Sequence, residues 1–289
     1  MRKFIISDRI AKKLRGLENA PRPAEPSGQP ENEAAEEAVP ERKNPLRATA
    51  RTDIGLVRRI NEDAVILGDG LMGVADGMGG HQGGETASAG ARDGLLAQLT
   101  GKEPGADTLR EAISAVNLEL WERQLEDESL SGMGTTLTVL WPAEDEMLIG
   151  HVGDSRAYLL RDGQMKQMTE DHSMVADMVR RGLLSEEQAA VHPMRNYITR
   201  AVGTEPDIQT DIVCIPRKAG DRWLVCSDGL HGLVKKERLQ ELMGMEDPEE
   251  AADQMIREAL DQGGRDNISL VLAVDETAPE APESGEVAE

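Results

Sequence analysis

Aromatic residues are nearly missing from this chain: one Phe, two Tyr and three Trp, 2% of 289 residues. A sizeable core must then be aliphatic, built from the Leu, Ile, Val, Met and Ala that dominate a 39% hydrophobic fraction. Positive charge is also scarce. The formal net charge of −22 excludes the basic footprint that nonspecific nucleic-acid binding needs. It leaves room for carboxylates that bind cations. No run of about 18 apolar residues occurs, so no membrane span is expected. Nor is a secretory leader, because charges interrupt the only apolar stretch of "MRKFIISDRIAKKLRGL". Cysteine is limited to Cys214 and Cys226, in separate β-like runs without metal-ligand spacing. They read as free core thiols in a reducing cytosol, which places the protein in the cytoplasm.

Residues 18–47 are rich in Pro, Glu and Ala ("PRPAEPSGQPENEAAEEAVPERKNP"). Such a segment buries too little apolar surface to offset its ordering entropy and reads as a disordered linker. The acidic tail 275–289, "DETAPEAPESGEVAE", reads the same way. Between them, residues 48–274 form the expected domain. Residues 1–17 differ: Ile6, Ile10, Leu14 and Leu17 recur at helical spacing, with Arg9, Lys12 and Lys13 elsewhere on the wheel. This is either a docking helix for a partner or an acidic membrane surface, or a helix that lies on its own domain or frays.

Inside the domain, "DAVILGDGLMGVADG" predicts two strands joined at a Gly-Asp-Gly turn, and Arg161-Asp162-Gly163 predicts a second hairpin. "GETASAGARDGLLAQL" and "ADTLREAISAVNLELWERQL" carry helical periodicity. The strands "TTLTVLW", "EMLIGHVG", "RAYLLRDG" and "QMKQMT" follow, then a helical stretch from "DHSMVADMVRRGLLSEEQAA". "DIQTDIVCIP" and "DRWLVCSDG" precede a helix around "DPEEAADQMIREALDQG", and "NISLVLAV" is the last strand. Strand runs and helix runs are segregated, which favours α+β layers with antiparallel sheets over a doubly wound parallel sheet.

Acids punctuate these strands. Asp76 follows "LMGVA" and precedes Gly77; Asp228 follows "WLVCS" and precedes Gly229. Asp154 ends "LIGHVG", Asp266 precedes the last strand, and Glu62-Asp63 precedes "AVIL". One strand-end Asp is an ordinary turn residue. Several that converge would repel one another unless cations neutralise them. Oxygen-only ligands without clustered His or Cys suit Mg²⁺ or Mn²⁺. Glycines beside them let a backbone carbonyl or a bulky substrate approach. Arg58 or Arg59, just ahead of Glu62-Asp63, suits a phosphate dianion gripped through parallel hydrogen bonds. Spacing alone does not separate these two arginines.

"RRINED", "ADGMGGHQGGE", "GMGTTLTVL", "GHVGDSRAYLLRDG", "TEDHS", "HPMRNYITRAVG", "LVCSDGL" and "GGRDNISLVL" stand in one order along residues 48–274. In this the chain resembles the bacterial branch of the PP2C (PPM) metal-dependent serine/threonine phosphatases. The resemblance implies a four-layer αββα sandwich, two antiparallel sheets flanked by helices, with a metal centre at one end. It implies that Asp76 bridges two Mn²⁺ or Mg²⁺ ions, that Asp228 and Asp266 complete the first site, and that the Gly77 carbonyl serves the second. Glu62 and Asp63 would hold water, Arg58 would bind the substrate phosphate, and Asp154 would hold a weaker third metal. Residues 171–192 would form a flap. The implied reaction is single-step, in-line hydrolysis of phosphoserine and phosphothreonine by a monomeric enzyme that opposes a Ser/Thr kinase. Two positions depart from the pattern. Met78 replaces a histidine that some members place after the Asp-Gly pair, with His81 three residues on, and Gly232 replaces a second acid past "SDG". A catalytically weak phosphoprotein-binding homologue and a hydrolase of small phosphoesters are the competing readings. Retention of Asp76, Asp228 and Asp266 opposes the first.

Overall fold

The computed structural model describes residues 46–79 and 83–276. The segment 1–17, all but the end of the linker, His81, and the tail beyond Glu276 lie outside the described residues. Strands β2 (Asp63–Gly68) and β3 (Leu71–Met78) are joined through Asp69 and Gly70, at φ 49° and 78°. Both turn centres are left-handed, so the turn's twist matches that of the ladder, and Asp and Gly tolerate the conformation. The same chemistry, Asp162 at φ 51° and Gly163 at 73°, closes β7 (Arg156–Arg161) onto β8 (Gln164–Gln167).

Every strand pairing is antiparallel. One sheet runs β2-β3-β5-β6-β9, with β5 at Leu137–Pro142, β6 at Glu146–Val152 and β9 at Asp211–Pro216; the short β4 (Gly134–Thr135) adds to β3. The other runs β1-β11-β10-β7-β8, with β1 at Leu46–Asp53, β10 at Arg222–Cys226 and β11 at Ile268–Asp275. Their inner faces meet through Met72, Val74, Leu140 and Ile149 on one side and Leu159, Trp223, Val225 and Val271 on the other. Helices α1 (Gly83–Leu99) and α2 (Ala106–Glu126) cover the outer face of the first sheet, seating Ala91, Leu95, Ile113 and Val116 on Ile66 and Val139. Helices α3 (Met174–Arg180) and α4 (Glu186–Ala190) lie in the connection from β8 to β9. The outer face of the second sheet carries α5 (Asp228–His231), α6 (Lys236–Met243) and α7 (Pro248–Asp261), with Leu230, Leu239, Leu242 and Met255 on Leu224, Leu270 and Leu272. Each fully buried Leu or Ile contributes roughly 1.5–3 kcal/mol relative to exposure. The expected four-layer αββα sandwich is the observed one.

The structure differs from the sequence reading at several places. Strand β1 was not anticipated, and it takes in Leu46 and Arg47, while β11 takes in Asp275, across both expected domain borders. Its Leu46, Ala48 and Ala50 pack on the inter-sheet core, and its other face is polar. There Arg47 meets Asp247 at 3.1 Å, Thr49 meets Glu249 at 2.9 Å, and Arg51 meets Asp253 at 2.6 Å and Glu249 at 2.7 Å. The aliphatic core is anchored by two buried tryptophans, Trp141 and Trp223, as well as Tyr158. Of the two cysteines only Cys226 is a core thiol; Cys214 is exposed, because β9 is an edge strand and alternate residues face outward.

Candidate metal and phosphate site

The acids singled out above gather at one end of the sandwich, where both sheets terminate. Asp63 opens β2 directly opposite Asp76 on β3. Asp228 starts α5 immediately after β10, and Asp266 lies just before β11. Two polar side chains bind the sheets together here. The Ser227 hydroxyl donates to Asp63 Oδ2 (2.8 Å) and accepts from the Ser269 N–H (3.0 Å). The Asn267 amide donates to the carbonyls of Ile54 and Ile60 (3.0 Å each) and accepts from the Glu62 N–H (2.8 Å). Thr136 Oγ1, just before β5, accepts from the N–H of Asp76 on β3 (2.9 Å), which fixes the strand end. Sequence reading missed Ser227, Asn267 and Thr136, although each stands beside an acid or inside one of the quoted motifs.

The electrostatics of this end are those of like charges held together. Burial, then the charges of Asp63, Asp228, Asp154 and Asp266, push Asp76 well above the usual carboxylate range. Asp63 is pushed up to about 6 by burial, against hydrogen bonds from Ser269 and Ser227 that lower it. Burial and Asp266 raise Asp228 to about 6; burial and Asp228 raise Asp154 to about 7. Glu62 is raised by burial, although Arg58 opposes the shift. Among the described residues, no three of these side chains already close on one point as a finished cage. The Asp63 Oδ1 atom is buried without a hydrogen-bond partner. An orphaned carboxylate oxygen inside an all-oxygen set of acids fits a hard divalent cation.

Arg58 stands at the rim. Its Nη2 donates to Asp266 Oδ2 (2.7 Å), and its Nη1 lies 3.4 Å from Glu62 Oε2. The structure thereby separates it from Arg59, which is exposed and forms no ion pair among the described residues. Gly77 and Gly229 have a packing reason to be glycine. A Cβ on Gly77 would sit 2.1 Å from the Gly84 carbonyl oxygen, and one on Gly229 would sit 1.9 Å from that of Asn267. Asp154 is buried beside the cluster, and its carbonyl accepts from His231 Nε2 (3.1 Å). Gly232 ends α5 without a side chain to offer it.

The sequence profile described as Protein phosphatase 2C matches residues 58–262. The chain belongs to the protein phosphatase 2C family. Among curated relatives, the serine/threonine protein phosphatase PstP of Mycobacterium tuberculosis is 42% identical over 231 residues, covering 79% of this chain and 45% of PstP. The serine/threonine phosphatase stp of Listeria monocytogenes is 37% identical over 241 residues, covering 78% of this chain and 95% of that protein. The chain thus spans a little under half the length of PstP and nearly all of the Listeria protein. Among solved structures, the M. tuberculosis phosphatase aligns with a TM-score of 0.76 at 40% identity, over 79% of this chain and 98% of the other. The PstP catalytic domain in complex with two manganese ions aligns at 0.74 and 39% identity, over 80% and 98%. In this protein phosphatase 2C member, Met78 is the last residue of β3 and Gly232 ends α5.

Proposed function

We propose that this chain is a metal-dependent protein phosphatase that hydrolyses phosphoserine and phosphothreonine monoesters in one in-line step. The observation that carries this reading is the group of mutually repelling carboxylates, with a buried orphan oxygen on Asp63, at whose rim Arg58 stands. Asp76 would bridge two Mn²⁺ or Mg²⁺ ions, with Asp228 and Asp266 on the first and the Gly77 carbonyl on the second. Asp154 would hold a weaker third. Such ions, when bound, lower the pKa of water and offset phosphoryl charge. Glu62 and Asp63 accept hydrogen bonds from water and orient it for attack on phosphorus. Arg58 grips the phosphate dianion, and its charge counts most as the equatorial oxygens gather charge in the transition state.

No side-chain nucleophile takes part. Ser155 is buried and shares a hydrogen bond with Thr136 (2.8 Å), and Ser173 caps α3. Cys226 is buried with its thiol pushed up to about 12, which leaves no thiolate for a cysteine-based route. The substrates are phosphorylated proteins made by a cognate Ser/Thr kinase, and the enzyme works in the cytoplasm as a monomer. Among the described residues no helix is long and apolar enough to cross a membrane.

The test is turnover of a phosphothreonine peptide with Mn²⁺, with EDTA, and against a nucleotide. Activity is expected only with metal, and on the peptide rather than the nucleotide. Asp76→Asn and Asp228→Asn should each lower it by about 10³-fold, several kcal/mol of transition-state stabilisation. A tenth of wild-type turnover in either variant under saturating Mn²⁺ would refute the assignment. Faster turnover of the nucleotide would favour the small-phosphoester reading.

A further inference from the structure

The loop from β1 to β2 carries an unusual surface. Of the seven residues from Ile54 to Ile60, four are large apolar side chains open to water: Ile54 at 39% exposure, Leu56 at 67%, Val57 at 65% and Ile60 at 45%. Single exposed aliphatic residues are ordinary; a run of them around one functional side chain is not. They flank Arg58, whose guanidinium reaches Asp266 of the acid group.

A slack loop would turn such side chains inward. This one cannot, because its backbone is pinned from behind. The Gly55 N–H donates to Asp53 Oδ1 (2.8 Å), and Gly55, at φ 77°, lies so close to the Asp266 carbonyl that a Cβ would stand 2.2 Å from it. The Leu56 N–H donates to the Gly264 carbonyl (2.7 Å). Asn267 holds the carbonyls of Ile54 and Ile60 from one amide group. The apolar side chains are thus presented on a fixed backbone frame, so a partner lying against them need not order the loop as well.

We propose that Leu56, Val57 and Ile60 form an apolar collar that receives the side chains flanking the phosphorylated residue, so that the enzyme selects phosphopeptides with aliphatic neighbours. The inference rests on the phosphatase reading above. The occupant follows from continuity. Val57 and Ile60 stand one and two residues from Arg58 and are exposed, so a peptide whose phosphate Arg58 holds has its flanking side chains within reach of them. The alternative of acidic flanks is opposed by the neighbouring carboxylates and by the chain's charge of −22.

The experiment uses the full chain with Mn²⁺ and a set of phosphothreonine peptides identical except at the flanking positions, which are aliphatic, serine, acidic or basic. A second substrate, p-nitrophenyl phosphate, has no flanking residues. The expected result is a kcat/KM about tenfold higher for aliphatic flanks than for serine, the scale of a few methylenes placed against an apolar surface. In Leu56→Ser/Val57→Ser that ratio falls towards one while kcat/KM on p-nitrophenyl phosphate is unchanged. The single Val57→Ser, at a position without packing duties, gives an intermediate ratio and guards against misfolding of the double variant. A wild-type preference for serine, acidic or basic flanks overturns the collar, as does an aliphatic preference that survives both variants. Turnover of p-nitrophenyl phosphate without aliphatic preference sinks the collar alone; no turnover of any substrate sinks the phosphatase reading with it.

Discussion

Arg58 has two sets of partners in view, one present and one implied. Its guanidinium neutralises Asp266 and leans toward Glu62, and hydrogen bonding to Asp266 keeps it firmly charged. Under the proposed reading, a cation held by Asp266 would take over that neutralisation and free the guanidinium for phosphate. Arg58→Ala should therefore raise KM and lower kcat/KM by about 10²-fold, the scale of one charge-assisted contact. Calorimetric titration with Mn²⁺ should show an affinity that holds or rises, since a competitor for Asp266 is gone. A fall in Mn²⁺ affinity with unchanged KM would make Arg58 a structural residue. The acids themselves were legible in the sequence, because an apolar run that stops on Asp-Gly leaves a carboxylate at a strand end. The choice between Arg58 and Arg59 was not legible from spacing, since adjacent side chains diverge and only the fold decides which one meets Asp266. Ser227 and Asn267 were visible as letters, yet their tasks depend on β10 and β11 lying side by side.

Among the elements, the hairpins were written in their Asp-Gly turns, and the long helices α1, α2 and α7 in their periodicity. Strand β1 was not. Its inward residues are Leu46, Ala48 and Ala50, mostly too small to announce a strand, and Leu46 and Arg47 fall within the expected linker. Its signal is held by the partners, β11 along its whole length and the acids at the start of α7. Helix α6 was missed as well, because only Leu239, Leu242 and Met243 are buried within a charged stretch. The α5 junction makes a direct prediction. Gly229→Ala would drive a Cβ into the Asn267 carbonyl and separate α5 from the start of β11. It should cost more than about 3 kcal/mol, the range of severe core disruptions. Urea unfolding followed by the fluorescence of buried Trp141 and Trp223 checks this; a loss below 1 kcal/mol, roughly the cost of an ordinary surface change, would show that the junction yields.

For the whole molecule, the gathered acids make stability depend on pH and metal together. Asp154 titrates near 7 in the fold against about 3.8 unfolded, and Asp76 lies well above its ordinary value. A carboxyl raised in this way supports the fold below its unfolded pKa, and that support is lost as pH rises through the folded value. His151 and His231, lowered to about 4 and about 3 by burial, work the other way and lose their support as pH falls below about 6.5. The two trends oppose each other in mild acid, and above about pH 6.5 only the carboxyls still change. In EDTA the Tm should therefore fall from about pH 6.5 to pH 8, and Mn²⁺ should cancel the fall by standing in for the lost protons. A flat Tm in EDTA would show that these acids do not crowd one another. The pairing of β1 with β11 has a mechanical consequence too. Leu46 lies opposite Asp275 at one end of this ladder, and Asp53 lies opposite Ile268 at the other, beside the carboxylates. A load applied through the two ends of the domain would not shear the ladder all at once. It would open it like a zip, one rung after another from the Leu46–Asp275 pair, and it would arrive at the carboxylate end last.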